Sequence, residues 1–443
     1  MIRRSMMCMM FLVASIISSP TFSQLKIQLT QGVDAAMPIV VLPFVSETSD
    51  VPGQTTLSEI IRSDLKNSGQ FRLIAPTVQK LMVSPSQSDL STLKKRGANF
   101  VLSGSVRPLS SGKFEVSVQL INLYRESRSE NSQSSFAVIL QQQYTVNQQD
   151  LRVLAHHMSD AIYHNLTGVK GIFSTKIAYV LVSRPHQKPT TYQLMIADAD
   201  GYNPRPLLTS YMPIMSPTWV KDGRHIVYVS FEGHKAAVYW QDIASGKRRL
   251  ISRSPGINGA PSVSPDGKRL ALVLTKTGNP KIYVMDIASR SIQQLTNGSS
   301  IDTEPSWSPD GNTLLFTSNR GGSPQIYQYD LSSTRIKRIT FDGNYNAKAS
   351  FMPNQSTIVM MHRDRSSFGI ARQDLVSGRV EILTQSGSDE SPSLAPNGKM
   401  VIYAMHSGQR GVLALVSTDG AVKLRLPAQA GSVQEPAWSP FLS

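Results

Sequence analysis

The sequence predicts an N-terminal α+β domain followed by an all-β six-bladed β-propeller closed by its C-terminal strand. A phrase repeated at a fixed step, strand-like runs filling each step, and complementary half-units at the ends of the array carry that expectation. The copies are Pro217-Thr-Trp-Val-Lys-Asp-Gly223, Pro261-Ser-Val-Ser-Pro-Asp-Gly267, Pro305-Ser-Trp-Ser-Pro-Asp-Gly311, Ala349-Ser-Phe-Met-Pro-Asn354, Pro392-Ser-Leu-Ala-Pro-Asn-Gly398 and Pro436-Ala-Trp-Ser-Pro440. Their starts lie 44, 44, 44, 43 and 44 residues apart, and so regular a period signals a closed or stacked repeat.

The unit from Pro305 to Thr340 shows the parts most plainly. Pro305-Ser-Trp-Ser is a short strand, and Ser308-Pro-Asp-Gly311 suits a type I turn: proline presets φ and glycine tolerates the exit. Thr313 to Ser318 is an apolar, β-prone run, Asn319 to Pro324 a loop, and Gln325 to Tyr329 alternates as a half-buried strand does. A polar turn at Asp330 to Thr334 precedes a last strand, Arg335 to Thr340. Four antiparallel strands make one propeller blade. The unit at Ala349 has lost the Asp-Gly turn and is the most degenerate.

Before the first full unit lies one without an opening strand: Ile177 to Val182, Tyr192 to Ile196, then Arg205 to Leu208. Pro436-Ala-Trp-Ser-Pro440 is an opening strand with nothing after it. Each supplies what the other lacks, giving five complete blades and one composite blade, and closure removes exposed sheet edges.

Residues 24–168 show no repeat. Strands are expected at Pro38 to Phe44, Phe71 to Ile74, Phe100 to Ser103, Phe114 to Ile121 and Phe136 to Tyr144. Leu57, Ile60, Ile61 and Leu65 fall at helical spacing and Gly69 ends that helix; Leu90 to Arg96 and Leu151 to Leu166 are further helices. Residues 169–176 form the linker to a propeller over 177–443.

Residues 1–23 read as a secretory signal peptide: Arg3 and Arg4, an apolar stretch from Met6 to Ile17, then small residues ending at Ser23. The apolar stretch is shorter than the roughly 20 residues of a spanning helix. The expectation is a cleaved leader, a chain starting near Gln24, and a soluble exported product. Cys8, the one cysteine, lies inside the leader. Disulfides, thiolate metal sites and cysteine nucleophiles are therefore excluded from the mature chain. The net charge of +15 falls to +13 without the two leader arginines. Lys and Arg are scattered rather than clustered, so nucleic acid is not an expected partner.

Chemistry-bearing motifs are scarce. There is no Gly-x-Ser-x-Gly elbow, phosphate loop, Gly-x-Gly-x-x-Gly or His-Glu-x-x-His, so no catalytic residues, cofactor or metal site are expected. His157, Asp160 and His164 share a helix face, but a closed metal site needs more ligands, and a surface or domain-contact role is expected. Asp198 to Asn203 lacks the downstream glutamate of a calcium loop and reads as an ordinary blade turn. The segments entering the opening strands should gather at one channel mouth: Met215-Ser216, Asn258 to Ala260, Asp302 to Glu304, Asn346 to Lys348, Asp389 to Ser391 and Gln434-Glu435. Converging carboxylates beside small residues suit the docking of a peptide segment; pattern alone leaves solvated loop charges equally open. A propeller that binds or processes cell-wall carbohydrate fragments is the alternative of another class.

The exported chain, the α+β domain and six blades bearing this phrase resemble the TolB family, periplasmic propeller proteins of the Tol-Pal envelope system. Specific to the likeness are Lys170-Gly-Ile-Phe173, Asp200-Gly-Tyr-Asn203, Asn258-Gly-Ala-Pro-Ser262, Tyr283-Val-Met-Asp286, Ser393 to Gly398 and the Pro436 to Pro440 ending. The resemblance implies a non-enzymatic, monomeric adaptor. Its partners would be the peptidoglycan-associated lipoprotein Pal at the propeller mouth, TolA through the N-terminal segment, and other outer-membrane lipoproteins, in support of outer-membrane constriction during division. Carried over by motif, the Pal-facing positions are Asn258, Ala260, Thr303 and Glu304, with Met215 and Ser216 nearby. The segment Gln24, Leu25, Lys26, Ile27, Gln28, Leu29 and Thr30 resembles the family's TolA-binding strand. Ile257 departs from the family pattern, where a polar histidine is common.

Overall fold

A computed structural model describes residues 27–29, 36–46, 54–76, 85–127, 135–364, 367–408, 410–427 and 429–442. The leader expected over 1–23 lies outside the described residues. Among the described residues no helix is long and apolar enough to cross a membrane.

The N-terminal region is one sheet covered on both faces. A short strand, β1 (Ile27–Leu29), stands apart from it, and the sheet itself uses β2 (Met37–Val41), β3 (Val45–Ser46), β4 (Phe71–Leu73), β5 (Phe100–Pro108), β6 (Phe114–Ser127) and β7 (Ser135–Val146). Its order is β4-β2-β5-β6-β7, parallel from β4 to β5 and antiparallel beyond, with β3 added beside β5. Strand alternation divides the apolar residues between faces. Ile39 and Val41 join Leu57, Ile61, Leu65, Leu154, Met158 and Ile162 of helices α1 (Gln54–Asn67) and α3 (Leu151–Thr167). Val40 and Leu42 join Leu90 and Leu93 of α2 (Gln87–Lys95) on the other side. Gly168, at φ 71°, ends α3 in the left-handed conformation that glycine adopts without steric cost.

The remaining chain forms six four-stranded blades. Blade 1 is composite, ordered Ser432–Trp438, Lys176–Ser183, Thr191–Asp198, Arg205–Ser210 from the channel outward. Blades 2 to 6 open with Ile214–Trp219, Asn258–Val263, Asp302–Trp307, Tyr345–Phe351 and Glu390–Leu394. Closure pairs Trp438 with Ile177 and Ser432 with Val182. Apolar clusters lie between blades: Ala178, Val180 and Ile196 of blade 1 pack on Ile214, Ile226 and Tyr228 of blade 2.

The repeated phrase explains its own conservation of shape within the chain. In Ser308-Pro-Asp-Gly311 the Gly311 N–H donates to the Ser308 carbonyl at 2.9 Å, and the Ser308 hydroxyl donates to Asp310. The tryptophan joins neighbouring blades: Trp307 Nε1 donates to the Ser262 carbonyl at 2.9 Å, and Trp219 Nε1 to the Ala437 carbonyl at 3.0 Å. The degenerate copy in blade 5 keeps the turn, with Gln355 taking the left-handed conformation at φ 57° and donating its N–H to the Met352 carbonyl at 2.9 Å.

Candidate functional site

The six opening strands line a mouth with a cavity of about 1070 Å³. The segments expected as loops ahead of these strands are instead mostly their first residues. Each strand begins early and then slips register: between Met215 and Thr218, Gly259 and Ser262, Thr303 and Ser306, Ala347 and Ser350, Glu390 and Ser393, and Gln434 and Ala437. An extra residue in one strand of a pair forces such a bulge and re-aims the side chains beside it. The proline that follows in five copies cannot donate to a ladder, which agrees with a break at that place.

At the bulge one residue per blade adopts left-handed φ: Ser216 (50°), Ala260 (43°), Glu304 (56°), Lys348 (52°), Ser391 (54°) and Glu435 (48°). None is glycine, so each holds a conformation that costs an L-residue roughly 1–2 kcal/mol. All six line the mouth cavity. The two glutamates turn the strain into ties between blades. Glu304 Oε2 accepts from the Lys348 backbone N–H at 3.0 Å and from the Thr317 hydroxyl at 2.8 Å. Glu435 Oε2 accepts from the Ser216 backbone N–H at 2.5 Å. The Glu304 carboxylate therefore serves the wall of the mouth as well as facing its cavity.

Two residues before the left-handed position, four blades carry a buried Asn or Asp that knots the entering chain. Asn258 Oδ1 accepts from the Ser252 hydroxyl at 2.7 Å and the Ser254 N–H at 2.9 Å. Asn346 Nδ2 donates to Gln325 Oε1 at 2.8 Å and to the Asp342 carbonyl at 2.7 Å. Asp302 is held by Lys281 at 3.1 Å and Arg320 at 3.0 Å, with the Ser318 hydroxyl donating at 2.6 Å. Burial alone would raise Asp302; Ser318, Arg320 and Lys281 outweigh it and hold the carboxyl below its ordinary range. Asp389 is fully buried and takes the Ser386 hydroxyl. Asp302 and Asp389 are thus internal braces, not the exposed mouth carboxylates that the pattern suggested. Both are fully buried, and their carboxyl oxygens are taken by neighbouring side chains.

Met215, Ser216, Asn258, Ala260, Thr303 and Glu304 all line this one cavity. Asn258 is buried and spent on its own loop. Exposed apolar side chains stand at this end: Tyr211 (71% exposed), Phe341 (69%) and Ile301 (48%), which sequence patterning passed over, beside Ile257 (50%) and Met215 (40%). Tyr211, Ile257, Ile301 and Phe341 occupy connections from an outer strand to the next opening strand, so the antiparallel alternation of four strands brings them to the same end. A single exposed apolar residue in a loop is common; only the repeat register identifies these as a set.

The N-terminal domain meets the opposite end. Asn397, in a turn following an opening strand, donates to the Lys170 carbonyl at 2.9 Å, and Arg152 of α3 pairs with Asp198 and Asp200 at the outer turn of blade 1. Strand β1 pairs antiparallel with the outer strand Val422–Arg425 of blade 6, with Gln28 opposite Lys423. Gln24, Leu25, Lys26 and Thr30 of the expected TolA-binding segment lie outside the described residues. The face shared by His157, Asp160 and His164 is divided among other tasks. Asp160 accepts from the N–H groups of Phe173 (2.7 Å) and Ser174 (3.1 Å) in the linker, while the His157 ring packs edge-on against Tyr144. Asp198, in the segment weighed as a calcium loop, is occupied by Lys176 at 2.8 Å, Asn203 and Arg152.

A closed ring with an open, apolar-rimmed mouth, backed by a small α+β domain, defines a propeller binding scaffold. Its relatives are consistent. Residues 163–442 match the TolB beta propeller domain, and residues 25–129 match the TolB amino-terminal domain. The chain is 59% identical over 424 residues to the Tol-Pal system protein TolB of Coxiella burnetii, covering 95% of each, and 54% identical to that of Legionella pneumophila strain Corby, covering 95% of this chain and 96% of the relative. The crystal structure of TolB from Acinetobacter baumannii is similar with a TM-score of 0.81 and 39% identity, over 94% of this chain and 100% of that one. The chain belongs to the TolB family, and these relatives are named as Tol-Pal system proteins.

Proposed function

We propose that this protein is a non-enzymatic periplasmic adaptor that docks Pal at the propeller mouth and engages TolA through residues 24–30, supporting envelope integrity and outer-membrane invagination during division. Export through a cleaved leader over 1–23 belongs to the same reading. The mouth carries it: a cavity of about 1070 Å³ lined by Met215 and Ile257, with exposed Tyr211, Ile301 and Phe341 in connections at the same end of the ring, away from the N-terminal domain. Exposed apolar side chains gathered at one end suit a protein interface, in which a few buried residues dominate the affinity. Small residues at Ser216, Ala260 and Ser391 leave the cavity open to an entering segment.

Calorimetry with purified Pal tests the reading. Glu304→Lys is expected to weaken binding by about 1–4 kcal/mol, the range of an interface hot spot. Because Glu304 also holds the Lys348 N–H, Ile257→Asp serves as a companion on the exposed rim and is expected to weaken binding too. Full affinity in both variants would remove the mouth from the proposal. Retained TolA capture by a chain lacking residues 24–33 would remove the N-terminal segment.

A further inference from the structure

A buried polar cluster joins α1 and α3 to the outer turn of blade 1. His156 Nδ1 of α3 lies 2.8 Å from Asp64 Oδ2 of α1, and both side chains are almost fully buried. The opposite ring nitrogen, Nε2, is buried with no hydrogen-bond partner and faces Asp200 Oδ2 of the propeller at 3.6 Å. Other groups close around it. Arg152 of α3 pairs with both Asp198 and Asp200 and stacks its guanidinium on Tyr202; Lys176 pairs with Asp198. Ser159 of α3 supports Asp64. A pocket of about 70 Å³ beside the cluster is lined by Asp64, Asn67, Tyr163, Asp200 and Lys399, among others.

Counting charges shows what the cluster lacks. Asp64, Asp198 and Asp200 bring three carboxyls, of which Asp64 is raised by its burial and needs the charge of His156 most, while Arg152 and Lys176 bring two permanent cations. One more positive charge would balance it. The three groups offer ligand atoms within 4.8 Å of one another, but a divalent ion would overshoot the balance, and Arg152 already holds the Asp200 oxygen that faces His156. A proton on His156 balances the cluster and gives Nε2 a hydrogen to direct at Asp200.

We infer that His156 is a proton-dependent latch between the N-terminal domain and the propeller, closed when the imidazole is charged and released when it is neutral. In the released state three carboxylates face two cations across the boundary, and Nε2 has no proton to offer Asp200. The energetics point the same way. Burial would lower the His156 imidazole, yet the hydrogen bond and charge of Asp64, with Asp200 behind them, outweigh that and raise it above its ordinary value of 6.5. A histidine raised in the folded state contributes its full stabilisation below the unfolded value and loses it as pH climbs through the folded one. The latch should therefore hold in mildly acidic surroundings and open as the pH climbs through the raised His156 titration. The joint also abuts the strand that receives β1: a Cβ on Gly69, just beyond α1, would meet Val422 at 2.2 Å.

Paired spin labels at Lys95→Cys and Lys247→Cys, in a full chain carrying Cys8→Ser, read the distance between the domains. One narrow distribution is expected at pH 5.5 and a broader one at pH 8.5, with the midpoint at the His156 titration followed by NMR. His156→Asn should give the broad distribution at both pH values. Asp200→Asn, which leaves the Asp64 pair intact, should abolish the pH response and keeps the test alive if the histidine variant does not fold. Identical distributions at both pH values, a His156 midpoint at or below 6.5, or a full response in Asp200→Asn would overturn the latch.

Discussion

Lys281 and Asp302 are both buried at the entrance to blade 4, and their pairing shapes the chain just ahead of Thr303 and Glu304. The Lys281 ammonium also donates to the Ser300 hydroxyl at 3.1 Å. Removing Lys281 takes one cation from a buried carboxylate that keeps Arg320 and the Ser318 hydroxyl. Lys281→Met is expected to destabilise the protein by about 1–3 kcal/mol, the cost of leaving a buried acceptor short of a partner, read from denaturant unfolding. Asp302 adds an acid sensitivity of defined sign. Its carboxyl is held below the ordinary range, so its contribution is complete above the unfolded value and is lost as pH falls through the folded one. Thermal unfolding followed downward from pH 5 should show that loss, and Asp302→Asn should flatten it. The sequence displayed Asp302 as one of several mouth carboxylates. Its burial depends on Lys281 and Arg320, which stand 21 and 18 residues away, and no local pattern announces that partnership.

At the scale of the element, the repeated turn separates backbone shape from residue identity. Gly223, Gly267, Gly311 and Gly398 take left-handed φ in four blades, and Gln355 does so in blade 5. Gln355→Gly is expected to stabilise by no more than about 1 kcal/mol, since relief of the Cβ clash is partly offset by the greater freedom of glycine when unfolded. A small rise in the denaturant midpoint with an unchanged slope would show it; a fall would mean that the turn tolerates Gln355 without strain. Helices and strands were legible because Leu57, Ile60, Ile61 and Leu65, or the alternation in Gln325 to Tyr329, carry their period within a few residues. The bulge at each mouth was not. It is a register slip between two strands, visible in the sequence only as a proline whose meaning depends on the neighbouring strand. The segment containing β1 reads as a strand by resemblance, but its partner does not, since the pairing with Val422–Arg425 spans nearly the whole chain.

For the whole molecule, the composite blade is the decisive element. The split first and last copies of the repeat make six blades and their closure legible in the sequence, because each fragment lacks what the other holds. Deleting residues 432–443 should expose the edge of Lys176–Ser183 and replace one cooperative unfolding transition by a broad one with association in solution, measurable by calorimetry and size-exclusion chromatography. A truncated chain that stays monomeric and melts sharply would show that five blades and a partial sixth suffice. The joint between the domains was the least legible region: Asp64, His156 and Asp200 come from three separate elements, and only the assembled fold makes them neighbours. Ring closure also sets an order in time. The Lys176 N–H donates to the Ser439 hydroxyl across 263 residues, and contacts so distant in sequence are slow to form. Until the last strand arrives, blades 2 to 6 are an unfinished spiral whose free edge invites wrong partners. A strand that closes last would also be the clasp whose opening sets the lifetime of the native ring.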